Sequence, residues 1–248
     1  MIGCPCATCH STDPRDRRLR PSIYLDVANG PKVLIDAGTD LRQQALTHGV
    51  SRVDAILLTH SHADHIMGLD DVRRFNIMQG GAIPAYADAR TSQDVRRTFE
   101  YIFVPPTQQG GGVPQIHLTT IENAFAIDGL QVVPVPVVHG QRPVLGFRFG
   151  SFAYLTDCNH IPDQSWPLIE KLDVLVLDAL RHRAHPTHYS VAQALDVAAR
   201  VKPRRTLLTH MCHDLPHQAT NDGLPSGVEL AYDGLVIDVE VAFNAAAS

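Results

Sequence analysis

Short apolar runs alternate along this chain with segments of helical periodicity, and glycine, proline or aspartate punctuates most of the joins. Ser22 to Val27 and Lys32 to Asp36 flank Asn29-Gly30, a dipeptide suited to a tight two-residue turn, and predict a β-hairpin. Thr39 or Asp40 then caps a helix that ends before Gly49. Further strands are predicted at Ala55 to Leu58, Ile83 to Ala87, Leu130 to Val138, Val144 to Phe149, Ser151 to Thr156, Val174 to Leu177 and Thr206 to Thr209. Helical spacing predicts helices at Gly68 to Met78, Thr91 to Tyr101, Asp163 to Lys171 and Val191 to Val201, the last stopped by Pro203. Pro105 to Pro114, with Gly110-Gly111-Gly112, carries no core pattern and reads as a mobile surface loop able to close over a small ligand. Strands alternating with helices define an α/β protein, and 248 residues suit one domain spanning 1–248.

Composition removes several classes. With 44% hydrophobic and 19% charged residues the chain is neither disordered nor fibrous. A net charge of −5 without any Lys/Arg block disfavours a long nucleic acid or an anionic membrane as partner, and favours a small substrate. No apolar stretch approaches the roughly 18 residues of a membrane span, and Met1 to His10 lacks the pattern of a secretory signal, so a cytoplasmic location is expected. Whether the chain forms a homodimer is left open.

Five cysteines cannot all pair, and Cys4, Cys6 and Cys9 crowd the first nine residues, where closely spaced thiolates read as a metal clip rather than a disulfide framework. Cys158 and Cys212 lack partners at ligand spacing and read as fillers of core or loop. Polar residues follow the apolar strands repeatedly: His60, His139, Asp157, Asp178 and His210 each stand at a carboxyl end, where open α/β sheets build their sites. The densest motif is His60-Ser61-His62-Ala63-Asp64-His65. Residues i and i+2 of an extended segment point the same way and can share one metal, while Asp64 and His65, entering a helix, reach a second. His60, His62, Asp64, His65, His139, Asp157 and His210 are more ligands than one structural zinc uses and suit two catalytic cations with open positions.

In these residues the chain resembles the metallo-β-lactamase superfamily of dinuclear hydrolases, whose motifs run Asp, H-x-H-x-D-H, His, Asp, His. Asp36 in Leu34-Ile35-Asp36-Ala37-Gly38 matches the first, and His139, Asp157 and His210 the last three. The resemblance implies a four-layer αββα sandwich, with His60, His62 and His139 on one metal, Asp64, His65 and His210 on the other, and Asp157 bridging. It extends to the phosphoribosyl cyclic phosphate phosphodiesterase group, in which a Cys-x-Cys-x2-Cys run and a His three residues after the last ligand hold a structural zinc. Cys4, Cys6, Cys9 and His213 match, so residues 1–13 are expected to dock on the loop after His210. That group carries a strand and glycine-rich loop ahead of its cysteines, whereas here Cys4 follows Met1-Ile2-Gly3. It also carries a catalytic histidine matched by His188, with Asp178 as a candidate orienting carboxylate.

Two divalent cations, Mn2+, Zn2+ or iron, and one structural Zn2+ are therefore expected. Asp64, His188 and Asp178 are the candidate catalytic residues, and Arg181 and Arg183 the candidates for gripping an anionic substrate. The reading is a phosphodiesterase acting on a small cyclic phosphodiester such as a phosphoribosyl cyclic phosphate. The alternatives are an RNA-processing nuclease or thiolester hydrolase of the same superfamily, and a metal-sensing or interaction protein that keeps the fold.

Overall fold

The computed structural model describes residues 1–104 and 112–244, so Pro105–Gly111, most of the loop expected above, lies outside the described residues. The chain divides into two compact units, one formed by Arg20–Leu130 with Phe243 and Asn244, the other by Met1–Leu19 and Gln131–Ala242.

In the first unit the order is β1 (Ile23–Asp26), β2 (Lys32–Ile35), α1 (Leu41–His48), β3 (Ala55–Leu57), α2 (Ala63–Ile66), α3 (Arg73–Gln79), β4 (Ile83–Ala87), α4 (Ala89–Thr98), α5 (Glu100–Phe103), β5 (Ile116–Thr120) and β6 (Phe125–Ile127). Strands β1 to β5 pair in sequence order, β1 antiparallel to β2 and the remainder parallel. Every residue of β3 is buried, the signature of a strand covered on both faces. Leu34, Ile56 and Ala85 of the sheet pack with Leu41, Val72, Phe75 and Val95 in one core. Helix α1 begins and ends where the sequence places it, stopped by Gly49 in the left-handed conformation at φ 67°.

Two predicted helices are broken. Within Gly68 to Met78 a 3-10 turn, Leu69–Val72, precedes α3 and buries Leu69 and Val72. Within Thr91 to Tyr101 the chain leaves helical geometry at buried Phe99 (φ −114°, ψ 44°), which separates α4 from α5. Strand β5 was not expected, and its pattern explains why: only Leu118 of its five residues is buried.

The second unit contains β7 (Leu130–His139), β8 (Arg142–Phe149), β9 (Phe152–Leu155), β10 (Val174–Asp178), α6 (Val191–Val201), β11 (Arg205–Thr209), α7 (His217–Asn221) and β12 (Val228–Leu230). Their order across the sheet is β12-β11-β10-β9-β8-β7. Strands β9 to β12 run parallel, while β7, β8 and β9 form an antiparallel meander, so β7 runs in the same sense as β9. Helix α6 starts with a full capping box between Ser190 and Gln193 and packs Val191, Ala194 and Val197 on Leu175, Leu177 and Leu208. The helix expected at Asp163 to Lys171 is instead a 3-10 segment, Asp163–Ile169, since Pro167 lacks the N–H that an α-helical ladder would use. Short β6 and β12 and the five-residue α7 were not expected either.

Candidate metal centre and catalytic residues

The first unit carries the H-x-H-x-D-H motif just beyond β3. Asp36 follows β2, the parallel neighbour of β3, and its backbone N–H donates to the Leu57 carbonyl at 2.8 Å. Its carboxylate is fully buried and organises the motif. Oδ1 accepts the Thr59 N–H and Oδ2 the Thr59 hydroxyl, both at 2.8 Å, and Oδ2 also accepts His65 Nδ1–H at 2.7 Å. Since the Thr59 hydroxyl donates to Asp36, it accepts from His60 Nδ1–H at 3.0 Å. Both imidazoles are thereby held in the tautomer that presents Nε2 as a ligand. His60 Nε2 and His62 Nδ1 converge to 3.0 Å, and His65 Nε2 lies 3.8 Å from Asp64 Oδ2. A Cβ on Gly38 would collide with the Asp64 carbonyl oxygen, so only glycine lets the chain after Asp36 pass beneath the motif.

The second unit gathers its residues at one edge, because β7, β9, β10 and β11 all point their carboxyl ends the same way. His139 closes β7, and its Nδ1–H donates to the Thr187 carbonyl at 2.7 Å, which makes Nε2 the candidate ligand atom. Burial pushes the His139 pKa below its ordinary value, favouring the neutral form that binds metals. Asp157 presents Oδ1 to His210 Nε2 at 3.2 Å and Oδ2 to His139 Nε2 at 3.8 Å. Asp157 thus turns one oxygen toward each imidazole and would be placed to share cations with both. Asp157, His188 and His210 bring one ligand atom each within 4.8 Å of one another. The left-handed region is occupied by Asp36 (φ 63°), Asp157 (φ 49°) and His210 (φ 58°). Asp and His tolerate that conformation better than most residues, and strain of this kind concentrates at functional sites.

His188 is buried, and its Nδ1–H donates to Asp178 Oδ2 at 3.0 Å. Asp178 is fully buried, accepts the backbone N–H groups of Cys158 and Tyr189 as well, and has its pKa raised chiefly by burial. The His188 ring stacks on His210 with centroids 4.7 Å apart and meets His139 edge-on at 4.6 Å. The rings of His188, His210 and His139 are therefore adjacent.

At the N-terminus, ligand atoms of Cys4, Cys6, Cys9 and His213 all lie within 4.8 Å of one another. Cys4 Sγ and Cys6 Sγ each stand 3.3 Å from His213 Nδ1, close to the roughly 3.6 Å edge that Zn–S and Zn–N bonds of a tetrahedral site give. The Cys9 N–H donates to Cys6 Sγ at 3.4 Å, and His213 pulls the Cys6 pKa down to about 6, toward the thiolate. The donor set fits a tetrahedral zinc. Cys158 is fully buried in the core, as its reading as a filler expects.

The two arginines are differently engaged. Arg181 donates to the carbonyls of Arg183 and Ala184, whereas exposed Arg183 pairs with Asp214 at 3.2 Å. Thr59 and Thr187 escaped the sequence reading. The Thr187 contact leaves no signal, because it is made by backbone, while Thr59 directly precedes His60 and belonged to the motif.

These features define a metal-dependent hydrolase class. The profile of the β-lactamase superfamily domain matches residues 32–211, and the chain belongs to that family, with the metallo-β-lactamase fold. A diphosphatase of the PhnP family, known by crystal structure, shares 45% identity at a TM-score of 0.90, covering 98% of this chain and 93% of its own. An octanoyltransferase from Porphyromonas gingivalis is 34% identical over 94% of this chain and 48% of its own length, so the chain spans about half of that relative. A ribonuclease Z from Pyrobaculum calidifontis is 25% identical over 87% of this chain and 88% of its own. No helix among the described residues is long and apolar enough to cross a membrane.

Proposed function

We propose that the protein hydrolyses a compact phosphodiester, attacking phosphorus and releasing an oxygen leaving group that His188 protonates. The observation that carries this reading is the buried His188–Asp178 pair stacked beside His210. With Nδ1 committed to Asp178, His188 offers Nε2 to the leaving oxygen. Asp36 and the Thr187 carbonyl fix the ligand tautomers of His65 and His139, while Thr59 fixes that of His60. His60, His62, Asp64, His65, His139, Asp157 and His210 would hold the two divalent cations the resemblance implies. When bound, these cations supply a nucleophile at neutral pH and neutralise charge on the phosphoryl oxygens.

The reading favours a small cyclic phosphodiester such as a phosphoribosyl cyclic phosphate, and the net charge of −5 weighs against a long RNA. A second reading, cleavage of a P–O–P bond, has its own support in the diphosphatase at 45% identity. Both share the attack at phosphorus and the departing oxygen, and they differ in the group that leaves. Exposed Arg183 is placed here as the contact for the substrate's anionic end, and Arg181 as the residue bracing its loop.

A panel of ribosyl 1,2-cyclic phosphate, a 2′,3′-cyclic nucleotide, a dinucleoside diphosphate, a tRNA precursor and a glutathione thiolester, each with Mn2+ or Zn2+, tests the proposal. The expected outcome is the highest kcat/KM on one of the first three. A tenfold preference for tRNA or thiolester overturns it.

A further inference from the structure

Arg18 belongs to none of the ligand or catalytic sets, yet its side chain is largely buried and both Nη1 and Nη2 are hydrogen-bonded, while Nε is buried without a partner among the described residues. Nη1 donates to the Cys212 carbonyl at 2.7 Å, and Nη2 donates to the Leu215 carbonyl and reaches Asp16 at 3.4 Å. Asp16 in turn accepts the His217 N–H at 2.8 Å. Burial lowers the Arg18 pKa, so these carbonyl contacts are made away from bulk water.

The Cys212 backbone is held from both sides. While its carbonyl accepts from Arg18, its N–H donates to the Leu180 carbonyl at 2.9 Å. The Leu180 N–H donates to the Tyr189 carbonyl at 3.0 Å, and the Tyr189 N–H donates to Asp178 Oδ2 at 3.1 Å. Asp178 accepts His188 Nδ1–H. Hydrogen bonds linked through the backbones of Cys212, Leu180 and Tyr189 therefore join Arg18 to the proposed proton donor, and Cys212 stands two residues from His210.

We infer that Arg18 is a positioning residue for the catalytic edge, which fixes the loop after His210 and, through Cys212, Leu180 and Tyr189, the Asp178–His188 pair. Arg18 is not itself one of the clustered Cys4, Cys6, Cys9 and His213 ligand groups, since its contacts are to the backbone carbonyls of Cys212 and Leu215 and to Asp16. Lysine cannot replace it, since a single ammonium centre does not span the Cys212 and Leu215 carbonyls in a fixed fork. The inference rests on the proposed role of His188.

The test compares Arg18→Met, Arg18→Lys, His188→Ala and the double variant Arg18→Met/His188→Ala, all zinc-loaded and checked for metal content. Both Arg18 variants should keep their metal equivalents and lose roughly 10-fold or more in kcat on a poor leaving group, with a smaller loss on p-nitrophenolate. KM should move little, and the double variant should be no slower than His188→Ala. The downfield ring N–H resonance absent from His188→Ala should shift or broaden in Arg18→Met. Arg18→Lys keeps the charge and provides the comparison if Arg18→Met fails to fold. Losses that multiply in the double variant, or an unmoved His188 resonance with wild-type leaving-group dependence, overturn the inference. A His188→Ala enzyme as active as wild type on poor leaving groups overturns instead the reading of His188 on which it rests.

Discussion

Asp178 and His188 lie ten residues apart in sequence and meet at 3.0 Å, the carboxylate completely buried at the end of β10 and the imidazole on the loop before α6. A carboxylate desolvated to that degree is retained only where its acceptors are filled, and here two backbone N–H groups and one imidazole fill them.

His188→Ala should therefore keep its metals and lose about 10²- to 10⁴-fold in kcat on substrates with alkoxide leaving groups. The loss should shrink on p-nitrophenyl esters, whose leaving group hardly needs a proton. Equal losses on both would make His188 a positioning residue.

Asp36 holds Thr59 and His65 without being a ligand itself. Asp36→Asn keeps a residue that accepts the left-handed backbone but loses the charge that His65 Nδ1–H donates to. Titration with Zn2+ should show about 10- to 100-fold weaker binding, as for other partners of metal-bound histidines. Unchanged affinity would remove Asp36 from that role.

Cys6→Ser should release one equivalent of zinc, measured by elemental analysis, while the catalytic cations stay. Each kcal/mol lost would lower Tm by about 2–4 °C for a chain of this size. An unaltered Tm and zinc content would contradict a clip at Cys4, Cys6, Cys9 and His213.

His217 gives the expected pH dependence. It is buried at the start of α7, accepts the Asn221 amide at Nε2, and its pKa is lowered by burial and by Arg15 and Arg18. Below the unfolded value of about 6.5 the unfolded chain takes up a proton that the folded chain resists. Stability should fall as pH drops below 6.5 and level off below the depressed folded value. In His217→Gln this part of the acid sensitivity should vanish from a Tm-against-pH series, and a slope identical to wild type would refute it.

Most of the candidate ligand positions were legible as strand-end residues because each follows an apolar strand that could be read: β3 before His60, β7 ending in His139, β9 before Asp157 and β11 before His210. Elements with little burial were not legible. β5 buries only Leu118, and three-residue β6 and β12 are too short to display a period. The helix breaks at Val72 and Phe99 were hidden because apolar spacing reports which face is buried and not whether the backbone stays α-helical. Arg18 was hidden for another reason: its acceptors are backbone carbonyls, which every residue carries.

The left-handed backbone at Asp36, Asp157 and His210 limits how these positions can drift over evolutionary time. Each selects twice, once for the donor atom and once for tolerance of a conformation that costs most residues roughly 1–2 kcal/mol. Glutamate offers the same carboxylate as aspartate without its ease in that region, and β-branched residues are worse still. Substitutions that keep the fold pass through asparagine or glycine, which discard the carboxylates of Asp36 and Asp157 and the imidazole of His210, so lineages leaving this chemistry are expected to carry Asn or Gly there and those retaining it to remain Asp, Asp and His.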